Sequence, residues 1–110
     1  MTAQQAAIVI NGTYEVSDED RARFVALVRS NLEYTVSVAG NVYYSFATDL
    51  LNENLFRMAE AWTSREALDE YMASAEFAQT LAELAEIKSV RRTAVVFSVS
   101  GQDGIELPTG

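Results

Sequence analysis

The chain has no cysteine and no histidine in its 110 residues. The first absence removes disulfides, zinc thiolate sites and a cysteine nucleophile together. The second removes the usual general base and the commonest metal ligand. Positive charge is also scarce: 8 basic against 16 acidic residues give a formal charge of −8. Phosphate binding needs clustered cations, so nucleic acid is not an expected partner, and Lys88, Arg91 and Arg92 form the only basic cluster. No glycine-rich phosphate loop exists, because Gly12 and Gly40 stand alone. No apolar run approaches the length of a bilayer span, and Met1 to Gln5 has no positive leader region. The expectation is a soluble, cytoplasmic protein with no membrane partner.

What is present is core. Hydrophobic residues make up 49% of the chain, enough for one packed domain. Residues 1–100 read as that domain, and residues 101–110, with Pro108 and three glycines, as a tail. Ala6 to Val16 alternates as a first strand, with Ile8, Ile10, Gly12 and Tyr14 on one face and Ala7, Val9, Asn11 and Thr13 on the other. Ser17 caps a helix whose first turn carries Asp18, Glu19 and Asp20. Phe24, Leu27, Val28 and Leu32 form its buried stripe, and it stops near residues 34–38. Asn41 to Asp49 is a second strand, Leu50 to Asn54 a hairpin connection, and Leu55 to Trp62 a third strand. Two helical pieces follow, Thr63 to Met72 and Ser74 to Ala85, the first opened by a capping box of Thr63 and Glu66. Lys88 to Ser100 is the last strand, dense in β-branched residues.

The order βαββαβ predicts an α+β, ferredoxin-like fold with a four-stranded antiparallel sheet in the spatial order 4-1-3-2. The strands are apolar on both faces, whereas a sheet with one wet face shows cleaner alternation. Helices cover one face, so a second copy packed sheet to sheet is the expected cover of the other.

The chemistry-bearing residues centre on the single tryptophan. Trp62, Tyr44, Tyr71, Phe77, Phe56 and Met58 are placed to wall an aromatic slot between sheet and helices, although each also suits an ordinary core. Asn11 is an amide in an apolar strand, either a bulge or a hydrogen-bond donor to a ligand oxygen or dioxygen. Glu60 shares a face with Trp62, and Arg57, Arg65 and Arg91 are its candidate ion-pair partners.

The run from Leu55 to Tyr71, a strand ending on Glu60-x-Trp62 and continuing into a capped helix, resembles the antibiotic biosynthesis monooxygenase (ABM) domain, as does the second helix opening at Ser74. The likeness extends over Ile8 to Val99. It implies a dimeric α+β barrel and, in the quinol- and anthrone-oxidising members, chemistry without metal, flavin or heme. There the substrate itself supplies electrons to dioxygen. Trp62 matches the family tryptophan, and Tyr71 stands where a histidine is common. Asn11 lies where heme-degrading relatives carry an asparagine, but their ligating histidine is missing. The resemblance thus implies a homodimeric, cofactor-independent monooxygenase taking a phenolic, quinol or anthrone-like aromatic and dioxygen. Trp62, Asn11 and Tyr71 would be catalytic, with Tyr44, Phe56, Met58 and Phe77 against the substrate. On this basis Trp62→Phe should impair turnover more than stability. A non-catalytic ligand-binding or interaction dimer and a polyketide cyclase or isomerase remain the alternatives on the same fold.

Overall fold

The structure, a computed structural model, describes residues 4–108. Its elements run β1 (Ile8–Glu15), α1 (Asp18–Thr35), β2 (Asn41–Asp49), β3 (Asn52–Trp62), α2 (Arg65–Met72), α3 (Ala75–Ala85) and β4 (Arg91–Ser98). The four strands form one antiparallel sheet in the order β2-β3-β1-β4. This is the expected ferredoxin-like order, with the second helical segment broken into α2 and α3 at Ala73 and Ser74.

Each helix starts on a serine. The Asp20, Ala67 and Phe77 N–H groups donate to the hydroxyls of Ser17, Ser64 and Ser74, satisfying amides that have no partner within the helix. The α2 cap is therefore Ser64, one residue later than the capping box read from Thr63 and Glu66. The Thr63 N–H instead donates to the Gly40 carbonyl at 2.8 Å, which ties the start of α2 to the turn before β2. Gly40 holds φ at +89°, and a Cβ there would collide with Ala67. β3 begins three residues earlier than the sequence reading. The hairpin turn is only Leu50–Leu51, held by the Leu51 N–H donating to Asp49 Oδ2 at 3.0 Å.

Register decides which side chains meet. On the helix-covered face, Tyr44, Glu60, Ile10 and Val96 form one row across all four strands. Phe46, Met58, Gly12 and Ala94 form the next, followed by Thr48, Phe56, Tyr14 and Arg92. The opposite face carries the rows Tyr43, Ala61, Val9, Phe97 and Ser45, Ala59, Asn11, Val95. Two packed clusters lie under the helices. Ile8, Ile10, Met58 and Trp62 pack with Leu68 and Tyr71 of α2, and Val16, Phe24, Phe56 and Ile87 form the second. Helix α1 departs from the expected stripe. Phe24 is enclosed, but Leu27, Val28 and Leu32 are only half-buried, and the sealed positions further along are the polar Asn31 and Thr35. No helix among the described residues is long and apolar enough to cross a membrane.

Candidate functional site

Between the sheet and the three helices lies a cavity of about 350 Å³. Phe46, Met58 and Ala94, of the row that also holds Gly12, line it, and the small Ala94 leaves space that a larger side chain would fill. A Cβ on Gly12 would come within 2.5 Å of the Thr93 carbonyl oxygen and 3.2 Å of Met58 Cε, so this closeness of strands requires glycine. Tyr44, Met58, Tyr71 and Phe77, four of the six residues expected to wall an aromatic slot, do line this cavity. Phe24, Phe46 and Tyr14 add further rings, with Tyr14 and Phe46 centroids 5.3 Å apart.

Three expected site residues are placed elsewhere. Asn11 is exposed on the opposite face, in a depression shared with Thr13, Ser45 and Arg57. The physical reason is parity: neighbouring residues of a strand point to opposite faces, and Ile10 faces the cavity. Phe56 faces the helices but packs in the second cluster, its ring 5.0 Å from Phe24 and beneath the Arg21 guanidinium at 5.4 Å. Trp62 is fully enclosed and does not line the cavity; its ring lies 5.0 Å behind that of Tyr71.

Trp62 reaches the cavity through one atom. Its indole N–H donates to Glu60 Oε1 at 2.8 Å. Glu60, which the sequence reading paired with an arginine, has no cationic partner among the described residues. Arg57 is on the other face and bonds Asp49 at 3.0 Å, and Arg65 bonds Asp69 at 3.1 Å. Glu60 is 6% exposed and is the only carboxylate among the cavity-lining residues. Burial pushes its carboxyl above the usual range, and the Trp62 hydrogen bond opposes that shift. Its second oxygen has no partner among the described residues and is not sealed from the cavity, since the only sealed, unpartnered side-chain atom among them is Asn54 Oδ1. Directly across on β2, Tyr44 presents a phenol without a hydrogen-bond partner among the described residues. Burial raises its pKa, and the neighbouring Glu60 carboxylate raises it further.

Tyr71 is differently disposed. Its hydroxyl lies 2.8 Å from Thr35 Oγ1 and accepts from Asn31 Nδ2 at 3.1 Å. Thr35 already donates to the Asn31 carbonyl at 2.7 Å, so the Tyr71 proton goes to Thr35. Burial raises the Tyr71 pKa against these hydrogen bonds, and the phenol stays neutral. Tyr71 therefore offers the cavity its ring rather than a free donor. Sequence reasoning missed Asn31 and Thr35. The available signal was their i, i+4 spacing on the buried side of α1, which presents two polar groups to one point. Among the described residues, no cluster of carboxylates converges to hold a metal ion.

Other proteins resemble this chain in sequence or in fold. An uncharacterised protein, sll1783, of Synechocystis is 33% identical over 70 residues, 64% of this chain. The chain spans about half of that curated relative's length, 48%. A Deinococcus radiodurans protein assigned to the antibiotic biosynthesis monooxygenases superposes with a TM-score of 0.83 at 19% identity, covering 90% of this chain and 98% of that one. SnoaB, a cofactor-independent oxygenase from Streptomyces nogalater, gives 0.75 at 13% identity over 89% and 97% of the two chains. At such identities these structures speak for the fold alone. The family model for antibiotic biosynthesis monooxygenases matches residues 7–83, from β1 through most of α3, and thus takes in the Glu60–Trp62 pair and the cavity wall apart from Leu84, Arg92, Thr93 and Ala94. By that match the chain belongs to the antibiotic biosynthesis monooxygenase family.

Proposed function

We propose that the protein is a cofactor-independent monooxygenase acting on a phenolic, quinol or anthrone-like aromatic. The carrying observation is an apolar, ring-lined cavity that encloses one carboxylate, Glu60, with an oxygen open to the cavity beside the unpartnered Tyr44 phenol. Flat aromatics fit such a space, and one acid–base group against them is what this chemistry needs. Glu60 accepts the acidic proton of the substrate, and Tyr44 donates to the oxygen on which negative charge collects. The electron-rich anion then reduces dioxygen directly. One oxygen atom enters the product and the other leaves as water with two hydrogens from the substrate, so no outside reductant is consumed. Trp62 acts through Glu60, holding its carboxylate in place, and Tyr71 forms a rigid wall.

The apolar row Tyr43, Ala61, Val9, Phe97 supports a homodimer built sheet to sheet, with Tyr43, Val95 and Phe97 the most exposed apolar residues of that face. Asn11 would then lie between the subunits rather than against substrate.

Oxygen uptake with a panel of anthrones and hydroquinones, under 18-oxygen gas, tests the activity. The expected result is one dioxygen consumed per substrate, with one labelled atom in the product. Binding without uptake would favour the non-catalytic ligand-binding reading, which the same cavity supports. Turnover without dioxygen would favour the cyclase or isomerase.

A further inference from the structure

The cavity is charged at two separated points. Glu60 is its only acidic lining residue and Arg92 its only basic one. Register sets them apart: Glu60 lies opposite Ile10 on β1 and Arg92 opposite Tyr14, four residues along and two strands across. At about 3.3 Å per residue and about 4.8 Å per strand, their Cα atoms are about 16 Å apart. They cannot form an ion pair, and the row holding Gly12 and Ala94 lies between them.

Arg92 makes no ion pair or hydrogen bond among the described residues, whereas Arg23, Arg57 and Arg65 are each held by a carboxylate. Arg29 and Arg91 also lack such partners among the described residues, but of these three only Arg92 lines the cavity. It also lines a second depression that adjoins the cavity through Leu81 and Leu84. That depression holds Lys88 and no acidic residue. Both cations therefore sit at one end of the site, on apolar walls, with nothing of opposite charge lining either space at that end.

We infer that the ligand is a fused-ring phenol carrying an anionic substituent, a carboxylate or its equivalent, at the end remote from the hydroxyl. The hydroxyl meets Glu60, the rings lie over Met58 and Ala94, and the anion meets Arg92 at the mouth. This rests on the cavity being the substrate site, and it adds a specificity-determining residue to it. The span suits about two or three fused rings, and 350 Å³ lies within the range of small-molecule pockets. Because the protein as a whole repels anions, selection for one must come from this local pair of cations.

The test uses two ligands of equal shape, 6-hydroxy-2-naphthoate and its neutral carboxamide, titrated calorimetrically into the whole protein. The wild type should bind the carboxylate about tenfold or more tightly than the amide, as a charge-assisted bond predicts. Raising salt should narrow the difference. Arg92→Gln, at an exposed position, should abolish the preference by weakening carboxylate binding. Arg91→Gln, one residue away on the opposite face, should leave the preference in place. Equal binding of both ligands by the wild type would overturn the anion subsite and leave the cavity reading standing. A preference that survives in R92Q would overturn the role of Arg92. Binding of neither ligand would overturn the cavity reading and this inference with it.

Discussion

The Trp62 indole N–H and Glu60 Oε1 are 2.8 Å apart, two residues distant on the same face of β3. One hydrogen bond thus joins the largest fully buried side chain to the one acid among the cavity-lining residues. It occupies one carboxylate oxygen and leaves the other for a ligand. Trp62 also competes with burial over the carboxyl's pKa, lowering what burial raises.

Glu60→Gln separates chemistry from packing, because the amide oxygen can still accept from Trp62. Turnover should fall about a hundredfold or more with loss of the acid–base group. Stability carries its own sign. The folded-state pKa of Glu60 is raised, so its favourable contribution is complete below the unfolded carboxyl's value and is lost as pH rises through the folded one. The variant should therefore equal or exceed the wild type in melting temperature above that range. In the wild type, kcat/KM should climb with pH through the raised pKa, and the variant's residual rate should lack that limb. An unchanged rate in E60Q would remove Glu60 from the mechanism.

For Trp62→Phe, the expectation from sequence was a functional more than a structural loss. Enclosure of the whole side chain reverses it. The smaller ring leaves a void and an unpartnered Glu60 oxygen, and unfolding in urea should show a loss of about 1–3 kcal/mol. The removed hydrogen bond was holding the Glu60 pKa down, so the rising limb of the pH–rate profile should move to higher pH. A variant with unaltered stability and an unshifted limb would contradict both roles.

Tyr71→Phe should destabilise more than it slows turnover, because the lost hydroxyl leaves buried Asn31 and Thr35 short of a partner, worth about 1–3 kcal/mol. Thr35→Val should cost a similar amount. In a double-mutant cycle the two losses should fall short of additive by about 0.5 kcal/mol or more, as directly bonded groups do. Strict additivity would mean that the 2.8 Å contact carries no energy.

Gly40→Ala should be costly although the residue does not line the cavity. It combines a φ of +89° with a collision against Ala67, the residue whose N–H reports the α2 cap. About 1–2 kcal/mol should be lost in chemical denaturation, with substrate affinity unchanged. A neutral result would require the turn to refold around alanine.

Phe97→Asp tests the sheet-to-sheet dimer. The wild type should sediment at about twice the 12.1 kDa chain mass, and the variant, with a carboxylate on the apolar row, should sediment as a monomer. A wild-type monomer at micromolar concentration would exclude this assembly.

Much of the architecture was legible from local rules. Ser17 is followed by three acidic residues, the small residues at Ala73 and Ser74 interrupt a helix, and β-branched runs alternate in the strands. Each is decided within a few residues, so element order could be read before any contact was known. The same parity already put Asn11 on the face away from Ile10, but only pairing with Ala59 rather than Glu60 shows that this is also the face away from Trp62.

The sequence by itself thus determined the kind of fold, the acidic balance, and a chemistry without thiol or imidazole. Tertiary structure alone decided which polar groups meet. Asn31 and Tyr71 are forty residues apart, and their bond depends on how α1 crosses α2. Glu60 could as well have met an arginine; its partner became the indole because burial on the helix side removes competing charges and leaves Trp62 as the nearest donor. Arg92 is one of three clustered cations in the chain, and only the pairing of β4 with β1 turns it toward the cavity and Arg91 away. Side-chain type is a local property, whereas the enclosure that gives a carboxylate or guanidinium its chemistry exists only after distant segments have packed.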